Sequence, residues 1–165
     1  MRSVLLMALC LLAAACGSSP VAPPPVSTFS LTAGAYRLSF AGTSCVLSTS
    51  DSPVTPNPGT VELQVMLAES LGGFALTAAG QPISGQLQAT PSLLTGTLAG
   101  SAAVGAMSFQ TGLSIGDAIA LSGVARDGDR FEGQLTTGRT FFTVSDAGGS
   151  STASCAGAAF TLRRA

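Results

Sequence analysis

The stretch Leu121-Ser122-Gly123-Val124-Ala125-Arg126-Asp127-Gly128-Asp129-Arg130-Phe131-Glu132-Gly133-Gln134-Leu135 says most about how this chain folds. Two alternating apolar/polar runs flank Arg126-Asp127-Gly128-Asp129. Asp-Gly tolerates the positive φ of a tight turn, so the segment predicts a β-hairpin. Each arm holds one short pattern: apolar, polar, Gly, variable, apolar. The pattern returns at Ile83-Ser84-Gly85-Gln86-Leu87 and at Leu94-Thr95-Gly96-Thr97-Leu98. In a strand the glycine shares a face with the two apolar residues. A missing side chain on that inner face lets strands bend sharply, or lets another side chain pack closely, as small barrels require.

The alternation continues on both sides of the hairpin. Tyr36, Leu38 and Phe40 share one face, with Arg37 and Ser39 opposite; Val61, Leu63, Val65 and Leu67 do the same against Glu62 and Gln64. Further strands are predicted over Gly73–Ala78, Ile83–Thr90, Leu93–Gly100, Ala102–Phe109, Ala118–Arg126, Arg130–Thr136, Thr140–Ser145 and Ala158–Arg163. Turn signals separate them at Ser52-Pro53 to Pro58-Gly59, Gly72-Gly73, Gly80-Gln81-Pro82 and Gly148-Gly149. No window of twelve residues has convincing helical spacing. The repeats are too irregularly spaced for a solenoid, whose period is fixed. The expected fold is all-β: a single antiparallel meander barrel or closed sandwich of about eight to ten strands.

With 165 residues, the chain is long enough for one domain with a hydrophobic core. Disorder combines low hydrophobicity with high net charge. Here hydrophobic residues make up 46%, charged residues 9%, and the net charge is −1, so the chain is read as folded. That balance gives no reason to expect nucleic acid as a partner, since nucleic acid attracts clustered Lys and Arg.

The first residues have their own logic. Arg2 precedes an uncharged apolar run from Val4 to Ala15, which is shorter than the roughly 20 residues a membrane-spanning helix needs. It matches the charged and apolar regions of a signal peptide. The run ends in Leu12-Ala13-Ala14-Ala15-Cys16. Small residues immediately before a cysteine resemble the bacterial lipobox, although Ala13 stands where that family most often has Leu. The resemblance implies cleavage before Cys16, a diacylglycerol on its thiol and usually an acylated new amino terminus. An ordinary secretory signal cut after Ala15 is the alternative. Residues 1–15 are then a lipoprotein signal peptide, 16–30 the lipidated cysteine with a Pro/Ser-rich tether, and 31–165 a β-barrel-like domain. Gly17 to Ser30 contains four prolines and no charge. At ~3.1 Å per residue it spans roughly 40 Å. The resemblance places the chain in the bacterial cell envelope. A residue other than Asp after the cysteine favours the outer membrane in that family, with the side faced left open.

Once Cys10 is removed and Cys16 modified, Cys45 and Cys155 are the remaining thiols. In an oxidising compartment they read as a disulfide joining the two ends of the domain, one cysteine after the first strand and the other before the last. Closing so long a loop is worth roughly 4–5 kcal/mol in the chain-entropy account. Two free thiols or intermolecular pairing are the alternatives.

The chain has no His and no Lys. The first absence removes Ser-His-Asp and Cys-His nucleophiles and His-ligated metals; the second removes Schiff-base and Ser-x-x-Lys chemistry. Gly112-Leu113-Ser114-Ile115-Gly116 spells G-x-S-x-G, a motif that needs a strand-to-helix turn and a His. Asp127, Asp129 and Glu132 crowd one hairpin with Arg126 and Arg130. They read as solvated charges, because a calcium loop needs more oxygen ligands at set spacing. Glu62 and Glu69 sit too far apart on one strand for shared acid/base work. Phe141-Phe142 puts rings on both faces of a strand, read as ordinary packing. No cofactor or metal is expected and no catalytic residue is assigned. The expected function is a membrane-anchored, non-catalytic envelope lipoprotein whose β-domain serves interaction or structure. Its expected partner is the membrane, through the lipid, with an unidentified protein in addition. The alternative is a lipocalin-like carrier, whose barrel would hold a small apolar ligand.

Overall fold

The computed structural model describes residues 25–49, 52–53, 59–111, 119–135, 140–146 and 149–165. They form ten strands: β1 Gly34–Leu47, β2 Thr60–Ser70, β3 Gly73–Ala78, β4 Ile83–Ala89, β5 Leu93–Val104, β6 Met107–Thr111, β7 Ile119–Arg126, β8 Arg130–Leu135, β9 Thr140–Asp146 and β10 Gly149–Arg164. No helix occurs among the described residues. All the strands belong to one antiparallel sheet, and β1 pairs with β10 to close it. The all-β closed architecture is the one the alternation predicts.

The ten strands make eight staves. Both β6 and β7 pair with β5: Thr111 lies opposite Gly100, and Ile119 opposite Leu98. They therefore continue one row along the same neighbour. In the same way β8 and β9 line up along β10, with Leu135 opposite Ala158 and Thr140 opposite Cys155. The wall runs β1, β2, β3, β4, β5, β6 with β7, β8 with β9, β10, and back to β1. Successive staves pair throughout, as in a meander.

Burial follows the pleat. Across Thr60–Leu67 the residues alternate exposed and buried without a fault. Tyr36, Phe40, Phe131 and Phe142 are the largest fully enclosed side chains, joined by inward-facing leucines from most staves. The glycine pattern is explained by the same face. A Cβ on Gly123 would lie 2.7 Å from Phe160 Cζ, so the ring of β10 reaches across β8 into the space the glycine leaves. Leu98 and Leu87 use the equivalent spaces at Gly85 and Gly96. The predicted hairpin is also present: Arg126 pairs with Arg130, and Asp127 and Gly128 take φ of 51° and 74°.

Some expected boundaries shift. β5 runs through Ser101 to Val104, and its turn falls at Gly105 with φ 58°. Leu94, Leu98 and Ala102 keep one inner face across the break that the sequence reading placed at Ser101. β10 begins at Gly149, nine residues before Ala158. Its first half hides its pattern because the inner residues there, Ala153 and Cys155, are small. Cys45 and Cys155 accordingly lie within β1 and β10, not beyond their ends.

Phe29 corrects the inner limit of the tether. It is 7% exposed and belongs to the core, and its N–H donates to Pro91 O at 2.7 Å. The folded unit therefore starts two residues before Leu31. An aromatic ring among prolines and serines finds a hydrophobic socket that the polar residues around it cannot use.

Candidate functional site

Two ends of the barrel present different chemistry. At the near end, where β1 begins, segment 25–33 enters the barrel mouth. Phe29 packs edge-on against Phe131, with centroids 5.3 Å apart, and against Tyr36 at 6.5 Å. The segment is also held by polar contacts. Thr32 N–H donates to Tyr36 Oη at 3.1 Å, and Arg164 Nη2 donates to Thr32 Oγ1 at 2.9 Å. Burial pushes the Tyr36 phenol up, but Thr32 and the Arg164 guanidinium outweigh it and hold the phenol below its usual 10.0. Sequence reasoning missed this plug. The signal was available in Phe29, the one aromatic in the Pro/Ser-rich stretch.

At the far end the barrel is clipped covalently. Cys45 and Cys155 are cross-strand partners joined by a disulfide, 110 residues apart in sequence. Ser44, with φ 51°, sits between the paired rows Thr43–Gly157 and Cys45–Cys155. The pleat slips by one residue there while the register with β10 is kept, so Gly42 and Cys45 both face the interior. A Cβ on Gly42 would lie 2.7 Å from each sulfur and 2.8 Å from Phe142, so only glycine leaves room for the bridge. Phe142 is fully buried beside it, whereas Phe141 is half-buried. Thr140 is buried too, its hydroxyl donating to Gly157 O at 3.2 Å.

The outer wall is equally uneven. Arg130 gathers Asp127 at 2.8 Å, Asp129 at 2.9 Å and Glu132 at 2.7 Å. Its guanidinium takes the central position that a cation would need. Among the described residues no group of three or more His, Cys, Asp or Glu is placed to hold a metal. Glu62 meets both Arg37 and Arg163 at 3.5 Å. A groove of about 280 Å³ runs between the two clusters, lined by Ser39, Glu62, Asp129, Arg130, Thr161 and Arg163. By contrast, the chain carries no charge from Ser70 to Gly116, a stretch that includes β3, β4, β5 and β6. A second groove of about 280 Å³ on that wall is lined by Ala75, Thr77, Ser84, Gln86, Thr97 and Ala99 among others.

Of the residues singled out from sequence, Cys16 and the G-x-S-x-G stretch at 112–116 lie outside the described residues. Cys45 and Cys155 are brought together. Asp127, Asp129 and Glu132 converge on Arg130, whereas Glu62 and Glu69 stay apart along β2. No family model, curated protein or solved structure matches this chain.

Proposed function

We propose that this chain is a lipid-anchored envelope protein whose barrel acts through its outer surface, as an interaction or structural module without catalysis. The observation that carries the reading is how the barrel is packed. Leu, Val and aromatic side chains point inward and are buried, while Arg37, Glu62, Glu132 and Arg163 stand on the outside. A membrane-spanning barrel has the reverse arrangement, with an apolar outer band around a polar interior. The wall is therefore suited to water and needs a separate attachment to stay at a membrane. Leu12 to Cys16 would provide it, and segment 25–33 brings the chain from that side into the barrel mouth.

The carrier reading has less support. A lumenal ligand needs a connected apolar space of ~300 Å³ or more. At the near end Phe29, Tyr36 and Phe131 meet across the mouth. Toward the far end β2 approaches both β5 and β6 within 8 Å between Cα atoms, and Met107 packs against Gly59. The charges on the outer wall are mostly paired with each other. That arrangement favours mixed-charge contacts over proton transfer.

The test is fractionation of cells expressing the full chain and a Cys16→Ser variant, with metabolic labelling by a fatty acid. Wild type is expected in the membrane fraction and labelled, and the variant unlabelled and released. A variant that stays with membranes overturns the anchor. Crosslinking in living cells then identifies what the outer wall touches.

A further inference from the structure

Six large apolar side chains are clearly exposed among the described residues, and their placement is lopsided. Val104 lies at the far end, beside the β5–β6 turn. The other five, Val26, Met66, Leu71, Leu93 and Val124, lie in the near half. Leu71, 107% exposed, occupies the β2–β3 turn, just past the Leu67–Gly34 pair that marks where β1 begins. Leu93 opens β5 two residues after Pro91 and faces outward opposite Val124 on β7. Val26, 75% exposed, lies three residues before the buried Phe29.

The same end is where the anchor would pull. Phe29 is fixed in the near mouth, thirteen positions after Cys16. At no more than ~3.3–3.6 Å per residue, the near mouth lies within roughly 45 Å of a lipid on Cys16. The far end is farther by the length of the barrel. The charges on the near rim balance, which is compatible with a lipid surface: Arg126 and Arg130 pair with Asp127, Asp129 and Glu132, and Arg164 at the end of β10 adds the third positive charge.

We propose that the near end of the barrel rests on the lipid surface, with Leu71, Leu93, Val124 and Val26 as its apolar contacts. This rests on the lipid-anchor reading of Cys16. A few partly inserted side chains bind a bilayer weakly by themselves. Held within tether reach, they act at a high effective concentration and orient the barrel. The uncharged β3–β5 wall and the charged β1–β2–β10 wall then both stand beside the membrane, while the disulfide end points away from it.

The chain contains no Trp, so single-Trp variants report one position each. The experiment uses full-length lipidated protein carrying Leu71→Trp or Val104→Trp, in phosphatidylethanolamine/phosphatidylglycerol vesicles with brominated acyl chains. Leu71→Trp is expected to be quenched roughly two-fold or more above Val104→Trp, and a Leu93→Asp/Val124→Asp background should reduce that difference. Equal quenching of the two probes in vesicle-bound protein overturns the contact while leaving the anchor intact. Protein that does not co-float with vesicles overturns the anchor and the contact together. A Leu71→Trp signal that follows protein density instead of bromine content shows a second copy on this face, and also overturns the proposal.

Discussion

The two ends of this barrel are closed by different physics. The near end is plugged by Phe29, a residue imported from outside the strands, against Phe131 and Tyr36. The far end has small inner residues, Ala102 and Ala153, and relies on a disulfide between the two longest strands. Aromatic burial stabilises the folded state directly, whereas a cross-link acts mainly by restricting the unfolded chain. A single sheet thus solves the problem of its open ends twice. The difference teaches that the near end can be loosened by one side chain, and the far end by reduction.

That contrast can be broken most sharply at Phe131. Phe131→Ala removes a fully buried ring and should cost about 3–5 kcal/mol by urea denaturation. Phe29→Ala should follow in the same direction; a change near zero for Phe29 would mean that the plug is not part of the core. At the other end, Cys45→Ala/Cys155→Ala should cost about 2–5 kcal/mol. Amide exchange should rise more in β9 and the first half of β10 than in β7 and β8. Uniform loosening would show that the two ends are not independent.

A middle-sized effect is expected between the ends. Gly123→Val should cost about 1–3 kcal/mol by overpacking against Phe160, and Phe160→Leu should restore part of it in a double-mutant cycle. Tyr36→Phe should cost about 1 kcal/mol at neutral pH, because Thr32 N–H loses its acceptor. Its pH dependence has a definite sign. With the folded phenol held below the unfolded 10.0, wild type should gain stability relative to Tyr36→Phe as pH rises through the folded value toward 10.0. A phenolate absorbance titration of this sole tyrosine checks the direction. The smallest effect belongs to Glu62→Gln, whose surface pairs with Arg37 and Arg163 should contribute less than about 1 kcal/mol.

Legibility in the sequence tracked side-chain size. Where inner residues are Leu, Val or Phe, as in β2 and the β7–β8 hairpin, alternation marked the strands closely. The expected Gly73–Ala78 coincides with β3. Where inner residues are Ala, Gly or Cys, as from Gly149 to Ala158, the pattern fades and half of β10 was missed. The glycine repeat announced that something would enter the inner face, but not that Phe160 would do so at Gly123. The surface asymmetry was open to composition alone, since no charge falls between Glu69 and Asp117. Its meaning depends on where those strands lie in the closed wall.

By itself, the sequence determined the all-β class, the strand polarity, the tight turn at Asp127-Gly128 and the availability of two thiols for one bridge. These are local properties, set by period-two burial, turn conformation and residue inventory. Only the tertiary structure decided that ten strands make eight staves, that Ser44 shifts the pleat to turn Cys45 inward, and that Phe29 is drawn into the mouth. Each of these depends on residues far apart in the chain meeting in space. No local pattern specifies which distant ring or sulfur fills the gap left by a glycine, because closure brings that partner from the other end of the sheet.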